Sequence, residues 1–115
     1  MEISTIATMV VSALHVGFFI LESILWTSPT VTRLFDTTVE DAETTKVLAL
    51  NQGFYNLGVA GLLIGFLLTD NEMGVVGMLA FVVVMGIVGA VTANWRIFLV
   101  QSLPALLTIW LVSTL

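Results

Sequence analysis

The stretch Met73–Trp95 reads MGVVGMLAFVVVMGIVGAVTANW and contains no charged residue. An α-helix needs about 20 predominantly apolar residues to cross the hydrocarbon core of a bilayer. This stretch is therefore predicted to span a membrane. Three further apolar stretches of similar length fill most of the remaining chain, at Ile3–Leu25, Val47–Leu68 and Ile97–Leu115. The pattern predicts an all-α fold: a single domain over residues 1–115 that forms an antiparallel bundle of four transmembrane helices.

The composition excludes several classes of protein. Hydrophobic residues make up 58% of the chain and charged residues only 10%, which is far from the composition of soluble domains. Lys and Arg together number three, too few for the basic surface that binds nucleic acid. Without a cysteine, the chain has neither disulfides nor thiolate metal sites. We expect an integral protein of the plasma or cytoplasmic membrane, with membrane lipids as partners and no cofactor.

Polar residues between the apolar stretches predict where the helices begin and end. Pro29 ends the first helix, and Thr37 and Thr38 before an acidic turn suit a helix start near Val39. The predicted helices cover about residues 3–25, 39–68, 73–95 and 97–115, and residues 26–46 form the long loop.

The three basic residues, Arg33, Lys46 and Arg96, fall on the side shared by that loop and the third turn. The positive-inside rule therefore predicts that both termini are extracytoplasmic. The segment from Pro29 to Lys46 is expected to form a partly helical lid on this basic side, where Arg33 and Lys46 attract anionic groups.

Polar residues inside the apolar stretches are the main indication of function, because ionisable and amide side chains are costly in lipid. By helical rise, Glu22, Asn51 and Gln101 lie about 6 Å from the basic interface, and Tyr55, Asn56 and His15 lie about 12–17 Å from it. The matching depths predict a ligand-binding pocket open to the basic face. Its predicted residues are Glu22, His15, Asn51, Gln52, Tyr55, Asn56 and Gln101. One His and one nearby carboxylate fall short of a metal site, so none is predicted.

Small residues form stripes on the second and third predicted helices. Gly58, Gly61 and Gly65 form one, and Gly86 and Gly89 belong to the other. Small residues let helix backbones approach closely in lipid. The stripes indicate either tight packing within one chain or a homodimer seam.

The same polar residues carry a resemblance to a known family. The first motif consists of His15, Glu22 and Trp26. The second begins with Thr45-Lys46-Val47-Leu48-Ala49 and continues with Asn51-Gln52-Gly53 and Tyr55-Asn56. The third is Val100-Gln101 with Leu103-Pro104-Ala105. With these motifs the chain closely resembles the domain of unknown function 1304 family over nearly its full length. Leu14 stands where an acidic residue is common in that family, and Ser102 where a glycine is usual. The resemblance implies four helices and a membrane location.

Three functions remain open from the sequence. The first is binding or transport of a small polar or amphiphilic ligand, which the amides and the phenol would hold by hydrogen bonds. The second is an enzyme that acts on a lipid or isoprenoid, with Glu22 or His15 as general acid or base. The third is a structural or interaction subunit, in which the polar residues only join helices. We expect Glu22 to reach an amide or phenol, with Asn51, Tyr55 and Gln101 as leading candidates.

Overall fold

A computed structural model describes residues Glu2–Thr114 of the chain. Within these residues the structure is helical and contains no strand. Helix α1 (Ile3–Phe19) continues into a π-helical turn (Ile20–Ile24), and the short α2 (Pro29–Leu34) follows. The remaining elements are α3 (Val39–Leu68), α4 (Glu72–Thr92), a second π-helical turn (Phe98–Ser102) and α5 (Leu103–Thr114). The predicted all-α class is confirmed.

Three helical segments are long and apolar enough to cross a membrane: Ile3–Ile24, Val39–Leu68 and Glu72–Thr92. The second of these starts and ends where the sequence predicts. The third ends at Thr92 rather than Trp95, because the backbone leaves the helical conformation at Ala93. The fourth apolar stretch forms a helix, Phe98–Thr114, that is shorter than these three, and the predicted end at Leu115 lies outside the described residues.

At the start of helix α3, polar and acidic side chains interact with the free backbone N–H groups of the first turn. The Thr38 hydroxyl accepts a hydrogen bond from the Asp41 N–H at 3.0 Å, and Glu40 also lies in this turn. A hydroxyl cap and early carboxylates stabilise the free N–H groups of a helix start. At 30 residues, α3 is about 45 Å long, which exceeds the thickness of a hydrocarbon core of about 30 Å.

The described chain divides into two compact units. We call His15–Val59 the Glu22 unit, and residues up to Leu14 together with those from Ala60 onward the terminal unit. In the terminal unit, α4 packs against α5 and buries Val75, Leu79 and Val82 at helical spacing. The Ser12 hydroxyl donates to the Ala60 carbonyl at 3.0 Å in the same unit.

In the Glu22 unit, the segment between α1 and α3 folds back onto Trp26. The Trp26 indole N–H donates to the Thr45 hydroxyl at 3.1 Å, and the Phe35 ring lies 5.1 Å from the Trp26 ring. Ser28 caps α2 by accepting from the Val31 N–H at 3.3 Å. The segment is therefore partly helical, as the sequence predicts, and its Phe35 packs against Trp26 just after the first long apolar helical segment.

Candidate functional site

Glu22 lies in a π-helical turn at the end of the first helical segment that is long and apolar enough to cross a membrane. The Leu25 N–H donates to the carbonyl of Ile20, five residues earlier, at 3.0 Å. A π-helical turn inserts one extra residue into a helix and occurs often at functional sites. The insertion changes the direction in which the side chains near Glu22 point.

The Glu22 carboxylate is held by an amide from α3. Asn56 Nδ2 donates to Glu22 Oε1 at 2.6 Å, and this contact is partly buried. The sequence predicts an amide or phenol partner for Glu22, and an amide of α3 is what the structure provides. The residue is Asn56 rather than one of the leading candidates Asn51, Tyr55 and Gln101. Asn51 and Tyr55 are exposed, and Gln101 donates to the Val82 carbonyl.

Next to the contact between Glu22 and Asn56, the following residue, Ser23, lies very close to α3. The Ser23 hydroxyl donates to the Leu50 carbonyl at 2.9 Å. A Cβ added at Gly53 would overlap the Ser23 hydroxyl, so only glycine permits this approach of the π-helical turn to α3. Ser23 and Gly53 therefore position Glu22 against Asn56. The sequence analysis gave neither residue this role.

A cleft of about 270 Å³ lies beside Glu22 in the same unit. Two oppositely charged side chains, two hydroxyls and four apolar side chains line it: Glu22, Lys46, Ser23, Thr27, Ile24, Trp26, Val47 and Leu50. Its lining includes both the Glu22 carboxylate and the Lys46 side chain of α3. Lys46 pairs with Glu43 at 3.0 Å, and both side chains are more than half exposed.

Of the other predicted pocket residues of α3, Asn51 and Tyr55 point away from Asn56, whereas Gln52 lies only about 40° around the helix from it. Asn51, Gln52 and Tyr55 are exposed, and Tyr55 has 75% of its surface accessible. At about 100° per residue, Asn51 and Asn56 point about 140° apart, which is too wide for one contact with α1. The structure thus brings Asn56 to Glu22 and leaves the other three out of that contact.

His15 is buried, with 1% of its surface accessible, and its ring meets Phe18 edge-on at a centroid distance of 5.1 Å. It is not among the residues that line the cleft. Seven residues of helix separate it from Glu22, which corresponds to about 10 Å along the axis. Direct proton transfer between the two side chains is not possible over that distance.

Gln101 belongs to the terminal unit, where a second π-helical turn repeats the local arrangement around Glu22. Gln101 Nε2 donates to the Val82 carbonyl at 3.2 Å, and the Ser102 hydroxyl donates to the Val83 carbonyl at 2.9 Å. A Cβ at Gly86 would overlap the Ser102 hydroxyl, as one at Gly53 would overlap Ser23. In both units, a polar residue and a serine in a π-helical turn meet a helix at a glycine.

The two glycine stripes have different environments. A Cβ at Gly58, Gly61 or Gly65 would meet no heavy atom within 4 Å. Gly86 and Gly89 instead pack against Ser102 and Ile97 within the terminal unit. Tight packing within the chain therefore explains Gly86 and Gly89 but not the stripe on α3.

A second cavity, of about 220 Å³, lies in the terminal unit. The carboxylates of Glu2, Asp70 and Glu72 line it together with the Thr8 hydroxyl, which donates to the Ser4 carbonyl at 2.8 Å. Among residues 2–114, no three His, Asp or Glu side chains form a group that could hold a metal ion.

Together these features define a class of protein: a small helical chain with membrane-length apolar helices and a polar cleft at the end of one of them. Over residues 9–113, the chain matches the family described as Protein of unknown function (DUF1304). Because the match covers nearly the whole chain, the protein belongs to this family, as its motifs indicate. Comparison with curated proteins and with solved structures finds no match.

Proposed function

We propose that this protein is an integral membrane protein that binds or transports a small polar or amphiphilic ligand in the cleft beside Glu22. The observation that carries the proposal is the Glu22 carboxylate, which lines the cleft while Asn56 holds one of its oxygens at 2.6 Å. An ionisable group inside a membrane-spanning segment is costly and marks functional sites. Ser23 and Gly53 fix its position by a close helix contact.

The ligand's size and polarity follow from the lining of the cleft. Small-molecule pockets typically have volumes of about 300–1,000 Å³ and apolar walls with a few polar groups. At about 270 Å³, this cleft is near the lower end of that range. Its walls combine apolar side chains with Glu22, Lys46 and two hydroxyls, which suits a small polar group attached to an apolar one.

The test is retention of an amphiphile by purified protein. Wild-type protein, extracted from its host membrane in mild detergent, should carry a bound amphiphile that native mass spectrometry detects. Glu22→Gln keeps the shape of the side chain but removes its charge, and it should lose that ligand. Glu40→Gln, at an exposed carboxylate on the same side of the chain, is the matched control and should retain it. Equal retention by all three proteins would contradict the proposal.

The membrane arrangement that belongs to this function is a four-helix antiparallel bundle with both termini extracytoplasmic. Phe98–Thr114 would be the fourth span, since about 17 residues of helix extend about 26 Å and a hydrocarbon core is about 30 Å thick. Because the chain has no cysteine, Asn71→Cys and Thr37→Cys can be labelled individually. An impermeant thiol reagent should reach Asn71→Cys from outside intact cells and Thr37→Cys only after lysis. The reverse result would invert the topology.

The exposed face of α3 supports a second proposal, a homodimer. Asn51 and Tyr55 lie on this face, and Gly58 and Gly65 follow at helical spacing with open space beside them. Polar groups that face lipid are costly, whereas a second helix would supply hydrogen-bond partners and fill the space beside the glycines.

Disulfide crosslinking in membranes tests the dimer. Tyr55→Cys should form a crosslinked dimer under mild oxidation. Phe81→Cys, at an exposed position on α4, is the matched control and should remain monomeric. Crosslinking at Phe81→Cys alone would place the contact on another helix, and this proposal would then be wrong.

A further inference from the structure

The cleft beside Glu22 is lined by one acidic and one basic side chain, Glu22 and Lys46. We propose that it takes the headgroup of an aminophospholipid, with a primary ammonium at Glu22 and a phosphodiester at Lys46. This assignment rests on the proposed ligand-binding function and names the chemical class of the ligand.

The Glu22 end suits a cationic donor. Asn56 donates one hydrogen bond to Oε1, and a carboxylate has about four acceptor positions on its two oxygens. An amide is neutral, so Asn56 orients the carboxylate without balancing its charge. A primary ammonium supplies both the charge and up to three N–H donors. A quaternary ammonium has the charge but no N–H, and therefore fits this end less well.

The Lys46 end suits a phosphate. The Lys46 ammonium lies 3.0 Å from the Glu43 carboxylate, and the two side chains are 59% and 54% exposed. An exposed pair of this kind contributes little stability. A phosphate can therefore replace Glu43 as the partner of Lys46 at little cost.

The apolar wall favours a lipid over a free headgroup. Ile24, Val47 and Leu50 line the cleft and also have 63%, 65% and 44% of their surfaces exposed. In a membrane, these faces of the helices meet acyl chains. A cleft of about 270 Å³ has room for a headgroup but not for a whole lipid. The chains of a bound lipid would therefore lie along these exposed side chains.

This arrangement requires Trp26 to lie at the depth of the lipid headgroups. Trp26 lines the cleft, and its indole N–H is fixed by the Thr45 hydroxyl at 3.1 Å. Tryptophan is enriched at membrane interfaces, where headgroups are found. With Trp26 at the headgroup layer, a headgroup in the cleft would lie beside both Trp26 and Glu22.

Native mass spectrometry of the full chain from vesicles of defined composition tests the assignment. The vesicles contain equal amounts of phosphatidylethanolamine, phosphatidylcholine and phosphatidylglycerol. Wild-type protein should retain phosphatidylethanolamine about tenfold over phosphatidylcholine, the change expected when charge-assisted hydrogen bonds are lost. Glu22→Gln should abolish that preference, and Lys46→Gln should lower retention of phosphatidylethanolamine. Glu40→Gln should behave as wild type.

Soluble O-phosphoethanolamine distinguishes a lipid from a free headgroup. Under the lipid assignment, a large excess of this compound should leave the bound phosphatidylethanolamine in place. If O-phosphoethanolamine at a concentration equal to that of the lipid displaced the bound phosphatidylethanolamine, the assignment of a lipid rather than a free headgroup would be wrong. If the protein retained the three lipids equally, the assignment of an aminophospholipid headgroup would be wrong. Glu22-dependent binding of a different amphiphile would overturn the headgroup assignment alone, while the absence of any Glu22-dependent ligand would overturn the proposed function as well. Circular dichroism and gel filtration check that every variant folds.

Discussion

The closest helix contact near the candidate site predicts that Gly53→Ala is destabilising. The new Cβ would overlap the Ser23 hydroxyl and lie 3.0 Å from the Ser23 backbone nitrogen. Overpacking of this kind costs about 1–3 kcal/mol. Loss of the hydrogen bond from Ser23 to the Leu50 carbonyl adds about 1 kcal/mol. The higher helix propensity of alanine offsets up to about 1 kcal/mol, so the net loss of unfolding free energy is about 1–3 kcal/mol.

Gly17→Ala is the matched control, because a Cβ at that helical position of the same unit meets nothing within 4 Å. Unfolding in mixed micelles, followed by circular dichroism, compares the two variants. Gly53→Ala should unfold at lower denaturant than wild type, and Gly17→Ala should not. Adding Ser23→Ala to Gly53→Ala should recover part of the loss, because it removes the overlapping hydroxyl. Equal stability of Gly53→Ala and Gly17→Ala would refute the close approach.

Three further substitutions test other parts of the fold. Gly86→Ala should lose about 1–3 kcal/mol through overlap with Ser102, measured in the same micelle unfolding assay, while Gly77→Ala should lose none. Thr38→Ala should remove the cap of α3 and lower the unfolding free energy by about 1 kcal/mol, with earlier exchange of the Asp41 amide in hydrogen-exchange measurements. Asp70→Gly should raise the thermal midpoint, because Asp70 has a φ of 51°, which favours glycine; a lower midpoint would contradict that reasoning.

The helix boundaries were predictable where local chemistry determines them. The start of α3 at Val39 follows from the Thr38 hydroxyl and the acidic first turn, which act within a few residues of the chain. The extent of the first span follows from apolar length alone. The two π-helical turns were not predictable, because each depends on a contact with a distant helix at Gly53 or Gly86.

The candidate site was predictable in part. A hydrogen-bond partner for Glu22, either an amide or a phenol of another helix, follows from the cost of a carboxylate in a helix of membrane-spanning length, and Asn56 is such an amide. Which amide it meets depends on helix rotation, and depth alone does not distinguish Asn51 from Asn56. Ser23 had a sequence signal that was not used: Glu22-Ser23 and Gln101-Ser102 are both a polar residue followed by serine in an apolar stretch.

The exposed face of α3 shows why periodicity alone could not assign its residues. The sequence predicts that Asn51, Gln52, Tyr55 and Asn56 of α3 all line one pocket, because polar groups are costly in lipid. Tyr55 and Asn51 are nevertheless exposed in the described chain. A single sequence does not distinguish a face that meets another helix of the same chain from one that meets a second copy.

The central claim is that the Glu22 carboxylate, held by Asn56, binds a ligand in its cleft. The most direct measurement is the side-chain amide resonance of Asn56 in isotope-labelled protein in lipid nanodiscs. In nanodiscs of phosphatidylcholine alone, Glu22→Ala should shift this resonance, because the hydrogen bond at 2.6 Å is lost. Adding phosphatidylethanolamine should shift it in wild type but not in Glu22→Ala. An Asn56 resonance that responds to neither change would contradict the account.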